Sequence, residues 1–110
     1  MSTPQRKKGT RFETVLLKWL RAIWPTAVRA GTTLGLNDKG DYLNLNGWLV
    51  EAKHHKVPHV MPWVRVLREK AHGMPWLLAV RTDARTEKDI AVMDLQVALG
   101  LIALQEGERP

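Results

Sequence analysis

The residues best equipped for chemistry lie within 40–56, which reads GDYLNLNGWLVEAKHHK. Residues two apart on a strand share a face, so Glu51 and Lys53 present a carboxylate and an ammonium together. Asp41 supplies a second carboxylate ten positions earlier. Hard oxygen donors of this kind hold Mg²⁺, and a lysine beside them orients a water and meets phosphate charge. The set suits hydrolysis of a phosphodiester.

Whether Asp41 meets Glu51 depends on the turn at Asn46-Gly47. A two-residue turn puts Glu51 opposite Tyr42 and sends Asp41 to the other side of the sheet. A three-residue loop, Leu45-Asn46-Gly47, closes Asn44 on Trp48, seats Gly47 in a left-handed position and sets Asp41 opposite Glu51. The three-residue loop is the register expected. A hairpin with an ordinary solvated polar face is the alternative.

A third carboxylate comes from the preceding helix, expected over 10–23. Phe12, Val15, Leu16, Trp19, Leu20 and Ile23 recur at helical spacing and form one apolar stripe. Thr10 followed by Glu13 is a capping box, which explains Glu13 as a helix cap. Glu13 also borders the stripe, where it would reach the helix–sheet junction, and the hairpin favours that second role. Trp24-Pro25 stops the helix. A short strand at 27–30 carries Arg29 outward, and 31–40 is a glycine-rich polar loop. Without a GxxxxGK[ST] order it is no nucleotide-binding P-loop, but its amides, Thr32 and Thr33 suit a phosphate backbone. Asp38 in that loop is explained by turn formation.

After Lys53 the chain reads His54-His55-Lys56. Adjacent histidines on a strand face opposite ways, and neither His59 nor His72 completes a zinc spacing. Phosphate contact or solvation suits His55 and Lys56 better. A second helix is expected over 62–72, closed by Gly73, with Trp63, Val66, Leu67 and the stem of Lys70 on one face. Residues 76–80 form a buried central strand, 89–93 a short strand, and 95–105 a last helix capped by Asp94. Together these make an α/β domain with a mixed central sheet flanked by helices.

The 110 residues suffice for one domain: a basic arm at 1–9, a globular body at 10–105 and a polar tail at 106–110. Seventeen Lys and Arg against eleven acids give a net charge of +6 and a pI near 10.1, which favours a polyanionic partner. The arm concentrates Arg6, Lys7 and Lys8. The chain has no cysteine, so disulfides and cysteine-bound zinc are excluded, as suits a reducing cytoplasm. No apolar run approaches the ~18 residues of a membrane span, and the N-terminus lacks a secretory core. Five tryptophans are many for this length and suggest a subunit or nucleic-acid surface, with Trp63 and the second helix as candidate interface elements.

Glu13, Asp41 and Glu51-Ala52-Lys53, in this order, resemble the PD-(D/E)xK nuclease superfamily with its restriction-endonuclease-like core. More closely the chain resembles small Holliday junction resolvases of the archaeal Hjc type and their bacteriophage relatives. The likeness spans about residues 8–104 and rests on KKGTRFE, AGTT, KGDY, VEAKHHK, Trp63, WLLAVRTD and IAVMDL. Gly40 stands where the superfamily name has proline. The resemblance implies that Glu13, Asp41, Glu51 and the Ala52 carbonyl bind Mg²⁺, with Mn²⁺ able to substitute. Lys53 would help activate water, and Thr32, with Thr33 second, would supply an assisting hydroxyl. It further implies a homodimer that cuts opposing strands of a four-way DNA junction in the cytoplasm, a host's if the chain is phage-encoded. Arg6, Lys7, Lys8, Arg29, Thr33, Lys39, His55 and Lys56 are the expected DNA contacts.

Overall fold

The computed structural model describes residues 4–30, 41–83 and 88–108, with side chains from Arg11 onward. The elements run α1 (Pro4–Ile23), β1 (Val28–Arg29), β2 (Tyr42–Leu43), β3 (Leu49–His54), α2 (Val60–Ala71), β4 (Trp76–Arg81), β5 (Ile90–Val92) and α3 (Leu95–Gly107). This is an α/β fold with a mixed sheet, in the order anticipated.

The centre is a β–α–β unit. β3 and β4 pair in parallel from Leu49↔Trp76 to His54↔Arg81, and α2 makes the crossover that parallel strands require. β5 adds antiparallel to the other side of β4, giving the order β3-β4-β5. β4 reads WLLAVR because it is covered on both faces. Val50, Ala52 and Ala79 pack towards Phe12, Leu16, Leu17 and Leu20 of α1. Leu49, Trp76, Leu78 and Val80 pack towards Val64, Leu67 and Ala71 of α2. Two helices therefore sandwich one thin sheet. Burying each of these larger side chains contributes about 1.5–3 kcal/mol.

Several expectations need correction. α1 begins at Pro4, so residues 4–9 of the expected arm belong to the helix. Proline suits the first helical turn, Gln5 to Lys8 are good helix formers, and Gly9 costs only about 1 kcal/mol. Thr10 is thus mid-helix and cannot cap it, which removes the capping role for Glu13. The buried stripe is also rotated: Leu17 is inside, whereas Trp19 and Ile23 are exposed.

The turn before β3 is the two-residue kind. Asn46 and Gly47 both take positive φ, 54° and 88°, and the Trp48 amide donates to the Leu45 carbonyl at 3.1 Å. That geometry matches the primed turns of hairpins, not the three-residue loop. Asn44, at φ 65°, inserts a further left-handed residue and anchors it by donating from Nδ2 to the Thr26 carbonyl at 3.0 Å. β2 consequently leaves β3 and pairs with β1, Arg29↔Tyr42.

The later helices also differ in detail. α2 ends one residue early, with His72 itself left-handed before Gly73. Asp94 occupies the N-cap position of α3 without capping it. Its carboxylate instead accepts from the Trp76 indole at 2.9 Å and from Arg68 at 3.0 Å. Arg81, the last residue of β4, is buried in a two-pronged pair with Asp89, at 2.8 and 2.7 Å. α3 buries none of its residues, although 95–105 carries no charge. No described helix is long and apolar enough to cross a membrane.

Candidate active site at the edge of β3

β3 is the edge strand of its sheet, and Asp41 lies against it. The Asp41 amide donates to the Val50 carbonyl at 3.4 Å, and the Ala52 amide donates to Asp41 Oδ2 at 2.8 Å. The Ala30 amide donates to the Asp41 carbonyl at 2.9 Å, which ties the residue to β1 as well. A side-chain oxygen thus takes the place of a ladder carbonyl. Asp41 is held beside β3 although no regular hairpin exists, and its carboxyl reaches hydrogen-bonding range of Glu51.

Glu51 is buried, at 8% exposure. Burial, then the neighbouring Asp41 charge, raises its pKa from 4.5 to about 7, against the lowering influence of Lys70. Two carboxyls this close in a desolvated site resist double ionisation, and a divalent cation between them would relieve that cost. The Lys70 ammonium donates to Glu51 Oε1 at 3.4 Å.

Glu13 approaches from α1. Burial and then Asp41 raise its pKa, while Arg29 and Lys53 lower it. Its carboxylate pairs with the Arg29 guanidinium. Arg29 therefore points into the site rather than outward as expected. Tyr42, 2% exposed, donates its hydroxyl to the Glu13 carbonyl at 2.8 Å. Burial keeps the phenol protonated by raising its pKa, so the bond fixes α1 against β2 across the working range. Glu13 and Asp41 are positioned by that link.

Lys53 shares a face with Glu51, as the strand period requires. Its ammonium sits 5.7 Å from the Trp63 ring centre, in cation–π range. His55 lies 4.9 Å and His59 6.1 Å from the same ring. Burial, then Lys53 and the two neighbouring histidines, lower the His55 pKa. A cleft of about 100 Å³ is lined by Glu51, Lys53, Trp63, Val66, Leu67, Lys70 and Leu78.

The structure therefore brings Glu13, Asp41, Glu51 and Lys53 to one place. Ala52 contributes its amide, which holds Asp41. His55 and Lys56 follow at the exit of β3. Arg6, Lys7 and Lys8 lie in the first turns of α1. Thr32, Thr33, Asp38, Lys39 and Gly40 lie outside the described residues. Among the described residues, no group of three or more His, Asp or Glu is gathered to hold one ion. Glu13 is paired with Arg29 and Glu51 with Lys70. The Asp41–Glu51 pair nevertheless fits a Mg²⁺ ion, which commonly takes one or two protein carboxylates and completes its shell with water and phosphate.

Two contributors escaped the sequence reading. Tyr42 gave no signal beyond being the one tyrosine. Lys70 did give one, because a charge on the inward face of α2 needs a partner inside. Compared with protein-family models, curated proteins and solved structures, the chain finds no match.

Proposed function

We propose that the chain is a metal-dependent, structure-selective DNA endonuclease of the PD-(D/E)xK type, cutting four-way junctions by paired hydrolysis. The carrying observation is the Asp41–Glu51 carboxyl pair at the open edge of β3, with Lys53 two residues beyond on the same face. Asp41 and Glu51 would hold Mg²⁺, with Glu13 joining once Arg29 is drawn to a phosphate. The bound cation would supply Lewis acidity and a more acidic water. Lys53, kept near the cleft by Trp63, would orient the attacking water and offset charge on the phosphate. His55, Lys56 and the basic start of α1 would bind the flanking backbone. Such contacts position DNA without reading sequence, which suits selection by shape.

Paired cutting needs a symmetric dimer, and α3 is the surface we assign to it. Leu95, Leu99 and Ile102, each 48% exposed or more, share one face of α3; Leu101 and Leu104 lie exposed on its other side, as Trp19 and Ile23 do on α1. Beside it Leu20, Ile23, Trp24, Trp48, Leu77, Met93 and Leu101 line a cleft of about 320 Å³. Ile23 and Leu101 belong both to the exposed set and to the lining of this cleft, so the cleft is continuous with the surface assigned to the dimer.

The deciding assay incubates the protein with Mg²⁺ and an immobile four-way junction, a fork, a nicked duplex or a linear duplex. Preferential, symmetric cutting of the junction is expected, with Lys53→Ala retaining the fold and DNA binding while losing cleavage. Equal rates on junction and linear duplex would leave a general endonuclease. A second reading, a DNA-binding protein without catalysis, is favoured by the pairing of Glu13 and Glu51 with internal cations. It is established if every substrate is bound and none is cut.

A further inference from the structure

Lys70 stands in the last turn of α2, and its ammonium enters the same cleft as Lys53. The cation that meets Glu51 is Lys70, at 3.4 Å, while the Lys53 ammonium rests over Trp63. Glu13, on the other flank of Asp41, is paired with Arg29 of β1. Each outer carboxylate therefore carries a basic partner from another element. Two features distinguish the Lys70 pair from a fixed structural one. Arg81 and Asp89 make two short contacts and are almost wholly enclosed, with side chains 8% and 14% exposed. Lys70 offers Glu51 one long contact and is 28% exposed on its side chain. Lysine is also a point charge on a flexible stem, able to change partner without losing a planar fork.

We propose that Lys70 is the resting counter-ion of this site: it holds Glu51 until a divalent cation takes the carboxylate, and then turns its ammonium to a DNA phosphate. The inference rests on the endonuclease reading and extends it to a residue outside the Glu-x-Lys pair. Replacement of a monovalent by a divalent partner leaves Lys70 next to positive charge, which drives it along the cleft away from Asp41. A position in the last turn of a helix keeps its charge favourable throughout. Cation and DNA binding are thereby coupled, and by linkage each must strengthen the other.

The test uses the full chain with Mn²⁺ alone, titrated calorimetrically, in wild type, Lys70→Met and Lys70→Arg. Methionine retains the apolar stem and removes the charge. Lys70→Met should bind Mn²⁺ tighter by about tenfold, in the usual range of coupling between sites, and Lys70→Arg, which keeps the charge and adds a fork that grips the carboxylate, should bind it no tighter than wild type. In a second measurement with Ca²⁺ and uncut junction, the salt dependence of DNA binding should be shallower by about one phosphate contact in Lys70→Met. Ca²⁺ should also tighten DNA binding less in that variant than in wild type. Equal or weaker Mn²⁺ uptake by Lys70→Met overturns this inference alone. Failure of all three proteins to take up Mn²⁺ overturns the endonuclease reading and this inference with it.

Discussion

Replacing Glu51 by glutamine isolates the cost of keeping a carboxylate in the site. The folded protein holds the Glu51 proton up to about pH 7, against 4.5 for an ordinary glutamate, because the group is buried beside Asp41. At 1.36 kcal/mol per tenfold change, ionising Glu51 in the folded state costs about 3 kcal/mol. The sign follows from linkage. A carboxyl with a raised folded pKa contributes full stability below pH 4.5, and that contribution is lost as pH rises through about 7. Glu51→Gln keeps the shape, removes the titration and forfeits the Lys70 pair, so about 3 kcal/mol is the ceiling of the effect. Urea unfolding in EDTA should show the variant gaining on wild type between pH 4.5 and 8. The gap should plateau at up to about 3 kcal/mol, which moves the melting temperature by up to about 13 °C in a domain this small. Glu13 and His55 titrate in both proteins and cancel in the difference. Mg²⁺ should restore wild-type stability at pH 8 by mass action and do little for the variant. A stability difference that is constant from pH 4.5 to 8 would refute the reasoning.

Tyr42→Phe removes the hydroxyl that ties the Glu13 carbonyl to β2, and should cost about 1 kcal/mol in urea unfolding. It should weaken Mn²⁺ binding as well, because Glu13 and Asp41 lose their shared brace. Leu99→Glu with Ile102→Glu places charges on exposed positions of α3. Light scattering at micromolar concentration should fall from about twice the 12.5 kDa chain mass to that mass with circular dichroism retained, whereas a monomeric wild type would remove the dimer. Deleting residues 1–8 should weaken junction binding and lower its salt dependence by up to about three phosphates without moving the cuts. An unchanged salt slope would show that Arg6, Lys7 and Lys8 touch no phosphate.

The elements were legible where period and burial agreed. WLLAVR read as a central strand because both of its faces are covered, and α2 lay between two strands that alternate or run apolar. Helix ends were less so. Arg6-Lys7-Lys8 has the composition of an arm and the propensity of a helix, and propensity prevailed once Pro4 began the turn. The stripe on α1 rotated because Leu17 joins the cluster packed on β3 and β4 while Trp19 is left exposed. A helical period states that one face is buried without fixing its centre to better than a residue.

The site was legible as a set of types and not as a mechanism of assembly. Asp41 reaches Glu51, but not through the three-residue loop that the register argument favoured. A two-residue turn alone would have carried Asp41 to the wrong side. Asn44 absorbs the difference by taking a left-handed conformation, which asparagine tolerates better than most residues. The Asp41 carboxylate then completes the pairing with the Ala52 amide in place of backbone. That bond holds the Asp41 carboxylate against β3 beside Glu51, so the device that fixes the register also places the carboxylate. Local turn rules score the backbone alone and cannot see a side chain substituting for it. Lys70 was obscured for a related reason. Its stem satisfies the apolar stripe of α2, so periodicity alone gave its ammonium no destination. The ammonium acquires one only when β3 is laid under the helix with a buried glutamate facing it.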